Sequence, residues 1–468
     1  MVGKMVGFTF TTLGILILFT VAPMVITGGN ILAGAAATGE QKERDRLGPL
    51  PGQPTGHTVE HFAGYVSLGR GLPSERHIFY YYVEAPAAAA QAPLLLWFSV
   101  AGVFCSSLGQ GGMLEVGPLR VQRDMTLQWN QFSWHKQANL LFVDLPAGVG
   151  FSYYSDKEYT GGTNTTKVVA DEDIVEDALS FLSRWLRRFP ENRARDLYVA
   201  GERYGARYAV HLALYSPNIR IKGLLLGNPL MDMESAYMGF VDYLTALGMM
   251  SEAGRHNILV SCDPHYKGSS PANCGMALKT EARRLGRLDV TALHEPLCTS
   301  TNHPTSGKYV AQYMKIPAVQ EALHANLTGR VPGPWLLCND RIRTPVEETW
   351  SMIAAMKEVV GRGGMKVMVF NGDAGAEQPV TSTNYAVRKV FNGTAPASFG
   401  PWYDSSGEVG GFLSVYGAGE NVLLTFATVH GAGGYVASNQ PLRAKDLFAT
   451  FLKSPSPAPR QDQDQGIN

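Results

Sequence analysis

The chain has 468 residues, of which 45% are apolar, and it contains 51 glycines and 27 prolines. This length and composition suit one large globular α/β domain or two smaller ones. Lys and Arg together number 40, as do Asp and Glu, so the formal net charge is zero. The balance gives no support for nucleic acid or an anionic membrane surface as a partner. The sequence has no phosphate-binding glycine motif and no Cys/His cluster of metal-ligand type, so we expect no cofactor and no metal.

The amino terminus has the layout of a secretory signal peptide. Lys4 precedes an apolar run from Val6 to Ile26, and small residues follow from Ala33 to Ala37. A positive residue, an apolar stretch and a small-residue cleavage site in this order predict a signal peptide over residues 1–37. Because the run is also long enough to span a bilayer, an uncleaved signal anchor is the alternative. After cleavage we expect no membrane association.

Three sequons agree with passage through the secretory pathway to the extracellular space or the vacuole. They predict N-glycosylation at Asn164, Asn326 and Asn392, each in a polar or Gly-rich neighbourhood.

The cysteines are few, namely Cys105, Cys262, Cys274, Cys298 and Cys338. In an oxidising compartment they can form two bridges and leave one thiol, whereas in the cytosol they would be five buried apolar thiols. The signal peptide favours the first alternative, and the residues alone leave the pairing open.

The middle of the chain alternates strand-like and helical segments. Residues 38–60 are polar and rich in Pro and Gly, which predicts a linker or an extended arm. Buried strands are predicted at Pro93–Val100 and within Ala138–Tyr153, and apolar residues at helical spacing follow from Ile174 to Phe189. Further predicted strands at 197–200, 222–226 and 366–370 alternate with helical segments. The pattern predicts an α/β fold with a mostly parallel central sheet flanked by helices.

The domain organisation follows from the same survey. We expect one domain over residues 61–453, with a more helical and more charged insertion at about 231–340 that forms a cap over the sheet. Residues 454–468 are polar and rich in Pro and Gln, which predicts a disordered tail.

One stretch has the pattern of a nucleophile elbow without the nucleophile. Leu197 to Ala200 is a short apolar strand, Gly201 begins a tight turn, and a helix is predicted from Tyr204 onward. The residue at the apex of such a turn should be Ser or Cys, and here it is Arg203. A guanidinium stays protonated near neutral pH and is not a nucleophile.

Several long motifs occur in one order and carry a family resemblance. They include "NQFSWHKQANLLFVDLPAGVGFSYYSD" from Asn130, "NGDAGAEQPVTSTNYAV" from Asn371 and "GAGGYVASNQPLRAKDLF" from Gly431. From about Asp45 to Leu452 the chain resembles the serine carboxypeptidases of the α/β-hydrolase superfamily, nearest to their plant-type branch. The resemblance implies an α/β-hydrolase fold.

The resemblance implies a catalytic triad, and this chain departs from it at all three positions. The family's nucleophilic Ser falls on Arg203, its Asp on Gly375 and its His on Gly434. The two loops that carry these glycines are expected to have room for Asp and His. The oxyanion loop, Trp97 to Ser107, is one residue longer than in the family and lacks its Gly pair and Pro.

The remnant of the ligand pocket is expected to include Glu202, Tyr204, Ala101, Gly102 and Asp373. From their positions in the motifs, Glu202 and Asp373 are the nearest candidate partners for the guanidinium of Arg203. That charge either turns the pocket into a site for a carboxylate or plugs it by bonding to a carboxylate of the protein.

The other polar residues near the degenerate triad are interpreted as structural. Ser106 and Ser107 are interpreted as local hydrogen-bonders, and Asp373 is interpreted as a loop hydrogen-bonder. His430 is interpreted as a surface-loop residue. None of these residues is expected to replace a member of the triad.

The resemblance also implies the disulfide pairing. Cys105 and Cys338 lie in contexts that are bridged in the family, and Cys262 and Cys274 match a second pair. Cys298 resembles a bridge cysteine whose partner is missing, so it is predicted to be a spare thiol.

Three functions remain open at this point. The first is a secreted, catalytically inactive carboxypeptidase-like protein that binds a peptide, a partner protein or a second copy of itself, since the family often dimerises. The second is serine carboxypeptidase, acyl-transfer or esterase activity through a relocated nucleophile. The third is a decayed gene product.

Overall fold

The computed structural model describes residues 39–453 except 57, 72–73, 88–90, 101–103, 157–165, 264–265, 268, 287, 296–306, 330, 332, 345–350 and 419–420. Several predicted features lie outside the described residues: the signal segment 1–37, the tail 454–468, Asn164, Cys298, and Ala101 and Gly102 of the oxyanion loop. Within the described range, no helix is both long enough and apolar enough to cross a membrane.

The strands are numbered along the chain. They are β1 His61–Leu68, β2 Arg76–Val83, β3 Leu94–Val100, β4 Phe104–Cys105, β5 Leu119–Val121, β6 Leu127–Trp129, β7 Asn139–Val143, β8 Tyr153–Tyr154, β9 Lys167–Val168, β10 Leu197–Arg203, β11 Ile221–Gly227, β12 Cys338–Asn339, β13 Ile342–Arg343, β14 Lys366–Gly372, β15 Ser398–Tyr403, β16 Val409–Ala418 and β17 Asn421–Val429.

The helices follow the same numbering. They are α1 (residues 39–45), α2 Asp171–Arg188, α3 Gly205–Tyr215, α4 Met233–Ala246, α5 Glu252–Cys262, α6 Pro271–Arg284, α7 Gly307–Tyr313, α8 Pro317–Ala322, α9 Ile353–Arg362, α10 Val380–Val390, α11 Val436–Asn439 and α12 Pro441–Lys453. Leu108–Glu115 forms a π-helical segment, and Pro190–Ala194 is a 3₁₀ helix.

One large sheet organises the domain, with strand order β1-β2-β7-β3-β10-β11-β14-β17-β16-β15. The six central strands from β7 to β17 run parallel. The outer pairs, β1 with β2 and β16 with β15, add antiparallel edges. The predicted mostly parallel sheet is therefore confirmed.

The strands bury both faces, because successive side chains of a strand point to opposite sides of the sheet. In β2, Tyr80 and Tyr82 join one apolar cluster, and Tyr81 and Val83 join the other. The first cluster includes α2 and α3, and the second includes α12. Helices on both faces complete the layered architecture that the strand pattern predicts.

Residues 39–60 form an arm that is bound to the domain and is not a free linker. The Asp45 carboxylate accepts hydrogen bonds from the hydroxyl of Tyr80 at 2.6 Å and from Nη1 of Arg188 at 2.7 Å. Leu47 and Leu50 are buried in the second apolar cluster. The arm therefore covers part of the sheet that would otherwise be exposed.

The predicted insertion at 231–340 divides into two parts. Helices α4, α5 and α6 share an apolar cluster of their own, which includes Tyr237, Leu244 and Ile258. In contrast, Tyr309 of α7 and Val319 of α8 are buried in the core of the main domain. Within the predicted insertion, α4 to α6 thus have a core of their own, whereas α7 and α8 share the core of the main domain.

Both disulfides implied by the resemblance are present. Cys105–Cys338 joins β4 to β12, which pair antiparallel with these two residues opposite each other. Cys262–Cys274 joins α5 to α6 within the cap. The first bridge connects parts of the chain that are 233 residues apart, and the second is local.

Candidate functional site

The elbow predicted from the sequence is present at the carboxyl end of the central strand β10. Arg203 ends this strand with φ 53°, and α3 begins at Gly205. A side chain at Gly201 would lie 2.6 Å from the carbonyl carbon of Gly205, so only glycine allows so sharp a turn. A left-handed backbone at a non-glycine apex is the strained geometry of a nucleophile elbow. The turn is therefore retained although its serine is absent.

The side chain of Arg203 is buried beneath the elbow. It is 5% exposed, and its Nη1 donates a hydrogen bond to the hydroxyl of Tyr435 at 2.9 Å. Its Cζ lies 4.0 Å from the centroid of the same ring, and Nη2 lies 3.0 Å from Oε2 of Glu377. Nε has no hydrogen-bond acceptor among the described residues, and Nη2 forms its ion pair outside hydrogen-bond alignment.

The surroundings of Arg203 keep it charged. Burial acts to lower the pKa of the guanidinium, but Tyr435, Glu377 and Glu202 together hold that pKa above its ordinary value. A cation that is ion-paired and stacked on an aromatic ring is stable in such a site. The apex thus carries a fixed positive charge where acyl transfer needs a neutral or anionic nucleophile.

The partners of Arg203 differ from those that motif logic suggested. The carboxylate of Asp373 accepts from Gly431 N at 2.7 Å and lies 2.8 Å from Nδ1 of His430. It does not pair with Arg203, whose partners are Glu377 and Tyr435. The prediction failed for Asp373 because a motif fixes the position of a residue and not the direction of its side chain. Asp373 is instead the loop hydrogen-bonder that the alternative interpretation describes.

The other two triad positions lie next to Arg203. Gly434 follows strand β17, and a Cβ built on it would lie 2.6 Å from Nη2 of Arg203 and 3.6 Å from its Cζ. A Cβ built on Gly375, after strand β14, would lie 3.0 Å from the backbone nitrogen of Gly434. The fold therefore brings the three positions together, but the guanidinium occupies the space that a histidine side chain at 434 would need.

A segment of the cap, residues 288–295, covers these loops through backbone hydrogen bonds. Ala376 N and Glu377 N donate to the carbonyl oxygen of Val290 at 2.8 and 3.0 Å, and Leu293 N donates to Ala374 O at 2.8 Å. Gly434 N donates to the carbonyl oxygen of Thr291 at 2.6 Å.

The cap segment limits the space at Gly375 as well. The carbonyl oxygen of Thr291 would lie 3.0 Å from a Cβ built on this glycine. Backbone atoms fixed by hydrogen bonds cannot give way as the end of a flexible side chain can. A Cβ at 375 or 434 therefore meets contacts of 3.0 and 2.6 Å, so the two loops accept Asp and His only if these neighbours shift.

Glu202 belongs to a buried pair of carboxyl groups with Glu115, a residue that the sequence analysis missed. Glu115 lies in the π-helical segment and accepts a hydrogen bond from Nε2 of Gln110 at 2.9 Å. Burial raises the pKa of Glu115, and burial together with the charge of Glu115 raises the pKa of Glu202 well above its ordinary value. Because both groups are buried, a charge on one opposes ionisation of the other. An acidic residue inside the apolar run before Pro118 was the available signal for Glu115.

One further predicted site residue, Tyr204, faces another element. The hydroxyl of Tyr204 donates to the carboxylate of Asp171 at 2.6 Å, and Asp171 also binds Tyr208 and Arg207. This correction follows from burial, because the hydroxyl needs an acceptor and Asp171 at the start of α2 provides one.

The serines of the oxyanion loop form the local hydrogen bonds expected of them. Ser106 donates to the carboxylate of Asp144 at 2.8 Å, and Ser107 Oγ accepts from Ser99 N at 3.3 Å. In the described part of the chain, no group of three or more His, Cys, Asp or Glu side chains is arranged to hold a metal.

The Glu115–Glu202 pair predicts a pH dependence of stability. Because the pKa of Glu202 is raised in the folded protein, its contribution to stability is complete below its ordinary value of 4.5 and is lost as the pH rises. Glu202→Gln mimics the protonated form, so we expect this variant to be more stable than wild type at pH 7.5 by about 1–2 kcal/mol. The two proteins should converge near pH 4.5.

Denaturant unfolding at several pH values measures this difference. Glu358→Gln, which removes an exposed carboxylate on α9, should keep the wild-type pH profile. Parallel pH profiles of Glu202→Gln and wild type would contradict the raised pKa of Glu202.

A mostly parallel sheet, an elbow after its central strand and helices on both faces define an α/β hydrolase. The sequence profile of the serine carboxypeptidase family matches residues 51–454, and the chain belongs to this family.

Relatives and a solved structure agree with this assignment. Serine carboxypeptidase-like 40 of Arabidopsis thaliana is 36% identical over 433 residues, which cover 88% of this chain and 83% of the relative. Serine carboxypeptidase-like 26 of the same plant is 34% identical over 451 residues, with 89% and 95% covered. The crystal structure of Kex1(delta)p, a prohormone-processing carboxypeptidase from Saccharomyces cerevisiae, matches with a TM-score of 0.71 at 21% identity and covers 88% of this chain and 96% of that one. The structural match supports the fold alone.

Proposed function

We propose that this protein has lost hydrolytic activity and acts in the secretory pathway by binding a peptide or a partner protein. The observation that carries the proposal is the guanidinium of Arg203, which is buried at the apex of the elbow and held by Tyr435 and Glu377. The guanidinium is not a nucleophile, and it occupies the position at which the family has its nucleophilic serine. The scaffold around it keeps its sheet, its elbow and its disulfides.

Hydrolysis by the family route needs a nucleophile, a base within hydrogen-bond reach and a group that orients the base. Arg203 supplies no nucleophile, and Gly434 and Gly375 supply neither base nor acid. Loss of triad members lowers turnover by roughly a million-fold in a well-studied serine protease. The residues present therefore favour binding over catalysis.

A relocated nucleophile is supported less well by the described contacts. Ser106 and Ser107 are buried and hydrogen-bonded to Asp144 and to backbone. A serine becomes reactive when a neighbouring base accepts its proton, and histidine most often fills that role. Asp144 is also an acceptor for the backbone N–H groups of Leu108 and Phe151, as expected of a structural carboxylate.

The pairing of Arg203 with Glu377 favours the plug hypothesis over a site for an incoming carboxylate. The counter-charge of Arg203 is already supplied by the protein, and Tyr435 covers one face of the guanidinium. A peptide ligand is therefore proposed to contact the surface around the cap and the strand ends without reaching the apex.

The secretory part of the proposal rests on the sequence together with the bridged scaffold. The predicted signal segment 1–37 precedes a domain whose two disulfides suit an oxidising compartment. The sequon at Asn392 lies on the exposed surface after α10, where a glycan has room. Asn326 is half-buried, and its side-chain oxygen accepts from Val331 N at 3.2 Å.

The test is turnover of peptide and ester substrates by the purified protein, combined with labelling by a serine-directed fluorophosphonate. We expect neither turnover nor labelling, while an intact-triad relative assayed in parallel shows both. Binding of a panel of peptides is measured on the same samples, with wild type compared to Arg203→Ala. We expect measurable binding with equal affinities for the two proteins.

Each part of the proposal has its own contradicting outcome. Covalent labelling or turnover would overturn the loss of activity, and absence of binding to any peptide or partner would overturn the binding role. Loss of peptide affinity in Arg203→Ala would replace the plug with a carboxylate site.

A further inference from the structure

A cavity lies at the opposite end of the central strands from the elbow. Its volume is about 550 Å³, and Leu94 and Leu197, the first residues of β3 and β10, form part of its lining. Arg203 ends β10 six residues after Leu197, which places it roughly 20 Å away at the rise of an extended strand. This cavity is therefore independent of the site described above.

Four arginines from different elements line the cavity. Arg187 belongs to the last turn of α2, Arg193 to the 3₁₀ helix, Arg195 follows that helix, and Arg220 precedes β11. One carboxylate, that of Asp196, opposes them, so the lining has a formal excess of three positive charges. Such a concentration of guanidinium groups creates a strong local preference for an anion.

Two of the four guanidinium groups donate hydrogen bonds to backbone carbonyl oxygens. Nε of Arg193 donates to the carbonyl oxygen of Leu186 at 2.9 Å, and Nη1 of Arg195 donates to Ala92 O at 2.7 Å. Within the described part of the chain, Arg187 and Arg220 form no ion pair and no hydrogen bond with another residue. The single carboxylate, Asp196, already faces Lys222 Nζ at 3.9 Å.

The lining also contains a buried donor without an acceptor. Asn192 is 2% exposed and lines the cavity, and its Oδ1 accepts from the hydroxyl of Tyr82 at 3.2 Å. Its Nδ2 has no hydrogen-bond partner among the described residues. This nitrogen has almost no exposed surface, so it belongs to the wall of the cavity and does not itself reach a ligand.

We propose that this cavity binds a small organic phosphate or sulfate. Planar guanidinium groups bind tetrahedral oxyanions through paired hydrogen bonds. Leu186 and Ile219 are half-buried and give the cavity an apolar side on which the organic part of the ligand packs. The volume lies within the range of ordinary small-molecule sites.

Calorimetric titration of the full chain with phenyl phosphate and inorganic phosphate at low ionic strength tests the proposal. We expect phenyl phosphate to bind more tightly than inorganic phosphate because of the apolar side. Arg187→Gln combined with Arg220→Gln should weaken binding by at least about tenfold. Neither residue bonds within the described structure, so this variant should fold normally.

Asp196→Asn supplies the reciprocal test. Removal of the single opposing charge should tighten phosphate binding by about threefold, an effect that a purely structural role of the arginines does not produce. Arg283→Gln, on the exposed surface of α6 in the cap, is the matched control and should bind as wild type does.

Several results would overturn the proposal. They are absence of binding at millimolar phenyl phosphate, an equal loss of affinity in Arg283→Gln, and no gain of affinity in Asp196→Asn. Equal affinity for phenyl phosphate and inorganic phosphate would contradict the claim that an organic group packs on the apolar side of the cavity. A sulfate ester of phenol, titrated in parallel, distinguishes phosphate from sulfate as the preferred group.

Discussion

Gly434→His is expected to destabilise the protein by about 3 kcal/mol, the upper range for an overpacked site. Its Cβ would lie 2.6 Å from Nη2 of Arg203, whose side chain is 5% exposed and is held by Tyr435 and Glu377. The imidazole needs the volume that the guanidinium fills. Either Arg203 leaves its partners or the loop after β17 moves away from Thr291.

Arg203→Ser in the same chain should restore much of this loss. Without the guanidinium, the nearest atom recorded around the Gly434 Cβ is the carbonyl oxygen of Thr291 at 3.6 Å, an ordinary contact. The two substitutions should therefore couple by about 1–3 kcal/mol in a double-mutant cycle. The coupling is expected because the side chains at positions 203 and 434 compete for the same volume.

Urea unfolding of wild type, the two single variants and the double variant measures the coupling. Gly275→His is the matched control, because a Cβ at this position in α6 meets nothing within 4 Å. Its effect should stay within about 0.5 kcal/mol, as for other surface substitutions. Additive effects of Gly434→His and Arg203→Ser would contradict the shared space.

The sequence predicted the scaffold well because its signals are local. The apolar strands, the helical spacing from Ile174 to Phe189 and the turn at Gly201 each depend on neighbouring residues. The same holds for the elbow, which keeps its geometry with Arg203 at its apex. The disulfides were accessible only through the family resemblance, since spacing alone does not fix pairing.

The interior of the site was less predictable because it depends on side-chain direction and backbone contacts. Glu377 and Asp373 lie on one loop, and no pattern in the sequence indicates which of them faces Arg203. The pairing of Glu115 with Glu202 requires that a π-helical segment lie beside the end of β10. The cap segment binds through the carbonyl groups of Val290 and Thr291, which every residue type carries.

The cap contacts change what restoration of the triad can achieve. A protein that carries Arg203→Ser, Gly375→Asp and Gly434→His contains the family's three side chains in sequence. The base and nucleophile positions can coexist once the guanidinium is gone. The acid is different, because a Cβ at 375 would lie 3.0 Å from both Gly434 N and Thr291 O, two backbone atoms joined by their own hydrogen bond.

We therefore expect the triple variant to remain inactive. A histidine without its orienting acid loses about 10⁴-fold in turnover in a serine protease, which leaves only weak residual catalysis. The altered oxyanion loop lowers the rate further, since a single lost donor there costs about 10²–10³-fold. The expected turnover of peptide and ester substrates is at most about tenfold above wild type, and far below that of a relative with an intact triad.

Two further variants locate the cause of that inactivity. Arg203→Ser with Gly434→His alone, which lacks the acid, should match the triple variant in turnover and in fluorophosphonate labelling. Asp289→Ala added to the triple variant loosens the cap segment, because the Asp289 carboxylate accepts from N and Oγ1 of Thr291 at 2.9 and 2.6 Å. If the segment excludes the acid, this addition should raise turnover, whereas the same substitution in wild type should not. The contradicting result is a triple variant that turns over substrate at a rate near that of the intact relative. Asp at position 375 would then fit beneath the cap segment. The backbone contacts over Gly375 would not be the reason for the loss of activity.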